Sequence, residues 1–303
     1  MALTLVILAA GVGRRYGGLK QLEPVGPDDE TLMEYSIYDA ARAGFDRVVL
    51  VVRPETEGEI RGSVGERIAG RVPVSYVYQT LDDLPEGFTA PADRAKPWGT
   101  GQAVLVSEPE VAGAFAVVNA DDFYGAESFE VVGRFLREVA HNGEPTFAMA
   151  GFEVGPTLSE SGPVSRGLCR VDHESWLEGI VEILKLRKRG TGGVFTDPDG
   201  SEQAVKPGEP VSMNMWGFTP VLFDELRRRF ADFLGNNGRA TDTEFLLPDV
   251  VRTMIREGRA RVRVLRHGSR WCGITYPEDR PAAENMIADL VAQGVYPPRL
   301  WGE

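Results

Sequence analysis

Cysteine is scarce in this 303-residue chain: only Cys169 and Cys272 occur, far apart, so no disulfide framework is set up. A reducing compartment, and hence a cytoplasmic location, is the expectation. Histidine is scarcer than its chemistry would need for a metal cage, since His141, His173 and His267 share no ligand spacing. An excess of positive charge is also missing. With 33 Lys and Arg against 45 Asp and Glu, the formal net charge is −12, which excludes nucleic acid or an anionic membrane as main partner, because counterion release needs a basic face. No apolar run approaches the length of a membrane span. The N-terminal apolar run has no basic segment before it and breaks at Gly11, so it reads as a strand and not as a signal peptide. Internal repeats and low-complexity tracts are absent as well.

What is present starts at that run. Leu3 to Leu8 is aliphatic and β-branched, the pattern of a buried strand, and residues 8 to 26 follow as a glycine-rich, cationic segment. The first turn after such a strand in an α/β sheet is where ligands collect. Gly11, Gly13, Gly17 and Gly18 free the backbone for positive φ and leave its N–H groups open to a polyanion. Arg14, Arg15 and Lys20 supply three cations for charge-assisted bonds to a triphosphate. Two familiar phosphate loops fail on spacing. The glycines run G-x-G-x-x-x-G where a dinucleotide loop has G-x-G-x-x-G, and Lys20 is followed by Gln21 where a P-loop has Ser or Thr.

Along the first half, strand and helix patterns alternate, the signature of a mostly parallel sheet with helical crossovers. Thr31 and Glu34 form a capping box for a helix over about 32–43 that stops at Gly44. Strands are expected at 47–52, 72–78 and 114–119, the last ending in Asp121-Asp122. The Pro-, Gly- and Asp-rich stretch 79–96 reads as a functional lid. No element is expected between Asp122 and Pro145. From Pro145 the chain becomes β-rich, with strands near 146–154, 169–172, 179–184 and 211–218, and a basic hairpin-like insertion over 187–210. Helices at 220–233, 242–257 and 278–293 and a strand at 261–265 complete the reading. It gives one domain over 1–303, with a nucleotide-binding lobe (1–143), an acceptor lobe (144–276) and a C-terminal helix (277–303).

Leu8, Ala9, Ala10, Gly11, Gly13, Arg15 and Lys20 fall on the signature Leu-Ala-Ala-Gly-x-Gly-x-Arg…Lys, and the chain thereby resembles the sugar-1-phosphate nucleotidyltransferases, or NDP-sugar pyrophosphorylases. The resemblance is specific over 3–125 and runs in order to about 276. It implies a Rossmann-like, GT-A-like α/β fold, a mixed and mostly parallel sheet flanked by helices, with a β-rich acceptor-binding lobe. It also implies that an NTP and a sugar 1-phosphate react to an NDP-sugar and pyrophosphate, with Mg²⁺ as cofactor. On this resemblance Arg15 holds the leaving pyrophosphate, Lys20 the α-phosphate region, and Asp121, in Asn-Ala-Asp-Asp, the metal. Leu8, Ala10, Gly11 and Gly13 line the nucleotide, while Gln79, Gly99 and Thr100 read its base, with Trp98 as cover or stacking partner. Gly167, Glu182 and Asn214 match the sugar-contacting positions. The family's phosphate-clamping lysine directly after the Glu is missing, leaving Lys185, Lys188 or Arg189.

One departure is plain. Where relatives carry Trp-x-Asp with a second metal-binding carboxylate, this chain has Trp271-Cys272-Gly273. Asp121 then holds the metal alone among protein carboxylates, or Asp242, Glu244 or Asp279 substitutes. Three alternatives stand beside the main reading. Leu19-Lys20-Gln21-Leu22 also resembles cytidylyltransferases for non-sugar phosphates, the missing aspartate allows a non-catalytic nucleotide sensor, and a redox Rossmann protein is the third.

Overall fold

The computed structural model describes residues 2–11, 18–139, 145–274 and 276–302. Gly13, Arg14, Arg15 and Gly17 of the glycine-rich segment lie outside them, as does His141. Strand β1 (Thr4–Leu8) is followed by helix α1 (Leu32–Arg42), whose capping box is present in full: the Thr31 hydroxyl accepts from the Glu34 N–H and the Glu34 carboxylate from the Thr31 N–H. Gly44 ends it at φ +82°. Strand β2 (Arg47–Val52) leads into α2 (Pro54–Ile60), which continues through a π-helical turn into α3 (Glu66–Ile68), and then β3 (Val74–Tyr78). After a long irregular segment come α4 (Thr100–Leu105), β4 (Phe115–Asn119) and the two-residue β5 (Asp122–Phe123).

Helix α5 (Ala126–Val139) then occupies a stretch where no element was expected. Phe129, Val132, Leu136 and Val139 fall on one helical face, and all are buried. Strands β6 (Thr146–Glu153), β7 (Val164–Val171), β8 (Leu177–Arg189), β9 (Gly192–Thr196), β10 (Glu202–Val205) and β11 (Pro210–Phe218) follow, with β8 to β10 forming the basic hairpin. The chain closes with α6 (Val221–Asn237), α7 (Leu247–Arg256), β12 (Arg261–Leu265), β13 (Cys272–Gly273) and α8 (Arg280–Ala292). Helix α7 starts five residues later than expected. Pro248 stands in its first turn, where its missing N–H has no helical partner to lose, and Leu246 just before the helix is extended at φ −90°, ψ 132°.

Strands β3-β2-β1-β4 lie side by side and parallel, and β11 adds antiparallel to β4. Strand β11 then forks the sheet. Its Trp216–Phe218 end pairs with β4, its Val211–Ser212 end with β7, and β6 runs along its opposite edge and carries β12 in parallel. The two faces bury different residues of the same strands. Leu5, Ile7, Ala116 and Val118 pack with α1, α2 and α5, while Val6, Phe115 and Val117 pack with α4, α6 and α7, as period-two side chains require. A smaller cluster joins α8 and the tail residues Tyr296 and Leu300 to Leu32 and Tyr35 of α1. The result is a mixed α/β fold of Rossmann-like type, with a large sheet flanked by helices.

Candidate active site

The carboxyl ends of β1 and β4 are in register, Leu8 opposite Asn119, and the Ala120 N–H donates to the Leu8 carbonyl at 3.2 Å. The loop after β1 and the aspartates after β4 therefore leave the sheet together, on the rim where open α/β sheets bind ligands. Lys20 returns to that rim on a short 3₁₀ turn, Lys20–Leu22. The turn is fixed because buried Gln21 donates its amide to the Ala9 carbonyl at 3.1 Å. The Lys20 ammonium pairs with Asp121.

Asp122 beside it is only 8% exposed. Its Oδ2 accepts from Asn119 Nδ2 at 2.9 Å and lies 3.2 Å from the Tyr124 hydroxyl, which also meets the Met213 carbonyl at 2.9 Å. Burial first, and then the Asp121 charge, raise the Asp122 carboxyl above the usual carboxylate range, opposed by Asn119, Lys20 and Arg166.

Beside this rim opens a cavity of about 210 Å³ walled by Asp121, Asp122, Arg166, Gly167, Glu182 and Asn214. The topology explains the meeting. Gly167 pairs with Glu182 across β7 and β8 and with Ser212 across β7 and β11, so three strands present these residues at the fork. Asn214 sits where the β11 register shifts between Ser212 and Trp216, with φ +61°, a strained conformation for a non-glycine residue and one that clusters at binding sites. Gly167 is a space requirement, since a Cβ there would come within 2.8 Å of Ile180 Cδ1 in the same wall.

Arg166 is the residue the sequence did not reveal. It is 7% exposed, donates to the Thr157 and Ser165 carbonyls, and lies 4.8 Å over the Trp271 ring. Burial lowers its pKa to about 10, with Asp122 and Glu182 pulling it back up, so it stays cationic at neutral pH. Nothing local marks it, because its partners lie on distant segments.

The structure does not bring Lys185 to this cavity. It stands exposed on β8 outside the cavity wall, while Lys188 pairs with Glu160 and Arg189 with Glu202. On the presumed base side, Gln79 donates to the Gly99 carbonyl at 2.9 Å and to Gln102 Oε1 at 3.0 Å. The Thr100 hydroxyl is engaged otherwise, accepting the Leu247 N–H at the start of α7 at 3.0 Å. Gly99 has φ +110°, and a Cβ there would lie 2.7 Å from the Phe245 carbonyl. Trp98 is cover: it is fully buried, donates to the Leu81 carbonyl and lies 3.6 Å beneath the Arg94 guanidinium. Arg94 also ties 79–97 to the carbonyls of Ala240 and Thr243, both at 2.7 Å, so this end of the expected lid is anchored.

Neither cysteine is a nucleophile here. Burial pushes the thiols of Cys169 and Cys272 up to about 12. Among the described residues no three His, Cys, Asp or Glu side chains are grouped to hold a metal. None of the three substitutes considered for position 273 lines the cavity: Glu244 pairs with Lys96, Asp242 meets Lys96 through its backbone carbonyl, and Asp279 accepts from the Tyr276 N–H and the Ser159 hydroxyl. What the rim offers a cation is Asp121 and Asp122. Such a donor set suits Mg²⁺, which takes one or two carboxylates and completes its shell with phosphate oxygens and water.

Fold and rim together define a nucleotidyl-transferring enzyme. Residues 5–121, from β1 to the aspartate after β4, match the family model described as the MobA-like NTP transferase domain. Three solved structures share the fold over 95% of this chain. One is a Bacillus anthracis protein assigned as a glucose-1-phosphate thymidylyltransferase and solved with a sucrose (13% identity, 96% of that chain, TM-score 0.59). The second is a UDP-glucose pyrophosphorylase with UDP-glucose (16%, 99%, 0.60), and the third the inositol-1-phosphate CTP transferase from T. maritima (15%, 96%, 0.58). No curated protein matches the chain. No helix among the described residues is long and apolar enough to cross a membrane.

Proposed function

We propose that this protein transfers a nucleotidyl group from an NTP to the phosphate of a sugar 1-phosphate, releasing pyrophosphate, in the cytoplasm. The observation that carries the reading is the cavity whose wall joins Arg166, Glu182 and Asn214 to Asp121, the partner of Lys20, at the end of β4. A phosphate acceptor needs a cation and hydroxyl-binding groups beside the triphosphate, and this cavity offers both. The nucleotide lies along Leu8, Ala10 and Gly11, with Gly13 and Arg15, outside the described residues, completing the grip. Gln79 and Gly99 border its base.

The acceptor phosphate attacks the α-phosphorus in line, so the residues position groups and neutralise charge, with no covalent intermediate. Lys20 holds the α-phosphate. Arg166 takes the role first expected of Lys185 and orients the acceptor phosphate, while Glu182 and Asn214 bind ring hydroxyls. Mg²⁺ bound at Asp121 supplies charge neutralisation on the phosphates. The test is a matrix of five NTPs against sugar 1-phosphates, inositol 1-phosphate and phosphocholine, read as pyrophosphate release. The expected result is one preferred NTP and a sugar 1-phosphate, with Asp121→Asn losing about a hundredfold or more. No product from any pair, or full turnover in Asp121→Asn, removes the reading. Preference for a non-sugar acceptor would instead select the cytidylyltransferase alternative.

A further inference from the structure

Glycine stands at position 273 for a spatial reason. Strand β13 pairs with β5 so that Gly273 lies directly opposite Asp122. A Cβ on Gly273 would come within 2.4 Å of Asp122 Oδ1 and 2.6 Å of the Trp271 ring, so the Asp122 carboxylate and the indole already fill that volume. The two oxygens of Asp122 are used differently. Oδ2 is held by Asn119 and Tyr124, whereas Oδ1 makes no hydrogen bond among the described residues, although the side chain is more than nine-tenths buried and walls the cavity beside Asp121. Oδ1 is not sealed in the core, so it is the oxygen that Asp122 presents to the cavity.

We propose that Asp122 Oδ1 is the second protein oxygen on the divalent cation held by Asp121, delivered from β5 across the two-stranded ladder into the space that Gly273 leaves open. This rests on the nucleotidyl-transfer reading of the rim. Asn119 and Tyr124 fix Oδ2 and thereby aim Oδ1. Two adjacent carboxylates satisfy what Mg²⁺ takes from a protein, and the remaining positions fall to phosphate oxygens and water. The glycine is thus part of the metal site without touching the metal.

The test is Mn²⁺ binding to the full chain by electron paramagnetic resonance of the free ion, alone and with pyrophosphate, which is independent of base and acceptor. Asp122→Asn is nearly isosteric and keeps the acceptor that Asn119 and Tyr124 need. Its Mn²⁺ affinity is expected to fall about tenfold or more, with the thermal midpoint in metal-free buffer unchanged. Gly273→Ala keeps both carboxylates but displaces Asp122, and is expected to weaken Mn²⁺ as well. Wild-type affinity in Asp122→Asn, or a loss that only follows a lowered midpoint, overturns the proposal, as does unchanged affinity in Gly273→Ala. Failure of every NTP and acceptor pair to react would remove the proposed function and leave the Mn²⁺ result to be read by itself.

Discussion

The Tyr296 hydroxyl donates to Asp39 Oδ2 at 2.6 Å, joining the C-terminal tail to α1 across 257 residues. Asp39 is 1% exposed, and its Oδ1 has no partner among the described residues. Burial pushes its carboxyl from 3.8 up to about 7, although Tyr296 and Arg42 pull it down. The folded state therefore keeps a proton there that the unfolded chain releases, so this group's contribution to stability declines as pH rises from about 4 to about 7 and is level above. Asp39→Asn, which needs no proton, is expected to be more stable than wild type at pH 8 by on the order of 1–3 kcal/mol, and equal to it near pH 4. Urea unfolding at the two pH values reads the difference, and a gain of the same size at both would contradict it.

His267 works in the opposite direction. Its ring packs edge-on to Phe152 at 4.5 Å, Nδ1 accepts from the Ser269 N–H, and Nε2 is buried without a partner among the described residues. Burial lowers its pKa from 6.5 to about 4, with Glu127 opposing, so stability from this group is present above pH 6.5 and is lost as pH falls toward 4. The two slopes share one window and offset each other in the wild type. Asp39→Asn should expose a stability that rises with pH there, and His267→Asn one that falls. Parallel pH–stability curves for the two variants would refute the assignment.

The proposed function has Arg166 orient the acceptor with a planar fork, for which keeping the charge is insufficient. Arg166→Lys is expected to lower kcat/KM for the acceptor about tenfold or more while the KM for the NTP changes little. Steady-state kinetics with each substrate varied in turn checks this, and an equal effect on both substrates would assign Arg166 to the fold alone.

Gly99 combines a left-handed backbone with contact against the Phe245 carbonyl. Gly99→Ala should cost about 2 kcal/mol or more, through strain and overlap together, seen as a lower midpoint in thermal unfolding. A midpoint within a degree of wild type would show that 244–246 yields instead.

Local signals carried much of the fold. Thr31, Glu34 and Gly44 bound α1 in the sequence as they do in space, and aliphatic runs mark β1, β2 and β4, because buried parallel strands are apolar on both faces. Asp121 was legible because it ends such a run. Helix α5 carries the same kind of signal, with Phe129, Val132 and Leu136 on one face. Other features were beyond reach for a physical reason. Arg166 gains its meaning from Thr157 and Trp271, and Gly273 from Asp122, contacts set by tertiary packing across long stretches of chain. Strands β7 and β8 were expected too short because their exposed residues break the apolar pattern.

The fork in β11 divides labour in a way that bears on redesign. Its one end is bonded into the nucleotide-side strands and its other into the acceptor wall, with Asn214 at the junction. Strands β8 to β10 hang from β7 and, among the described residues, pair with no parallel strand of the rim. On the proposed function, grafting a different β8–β10 ribbon would re-tailor which acceptor is admitted while the register of Leu8, Asn119 and Asp121 stays put. One scaffold could carry a library of acceptor preferences, with the phosphate chemistry as its constant part.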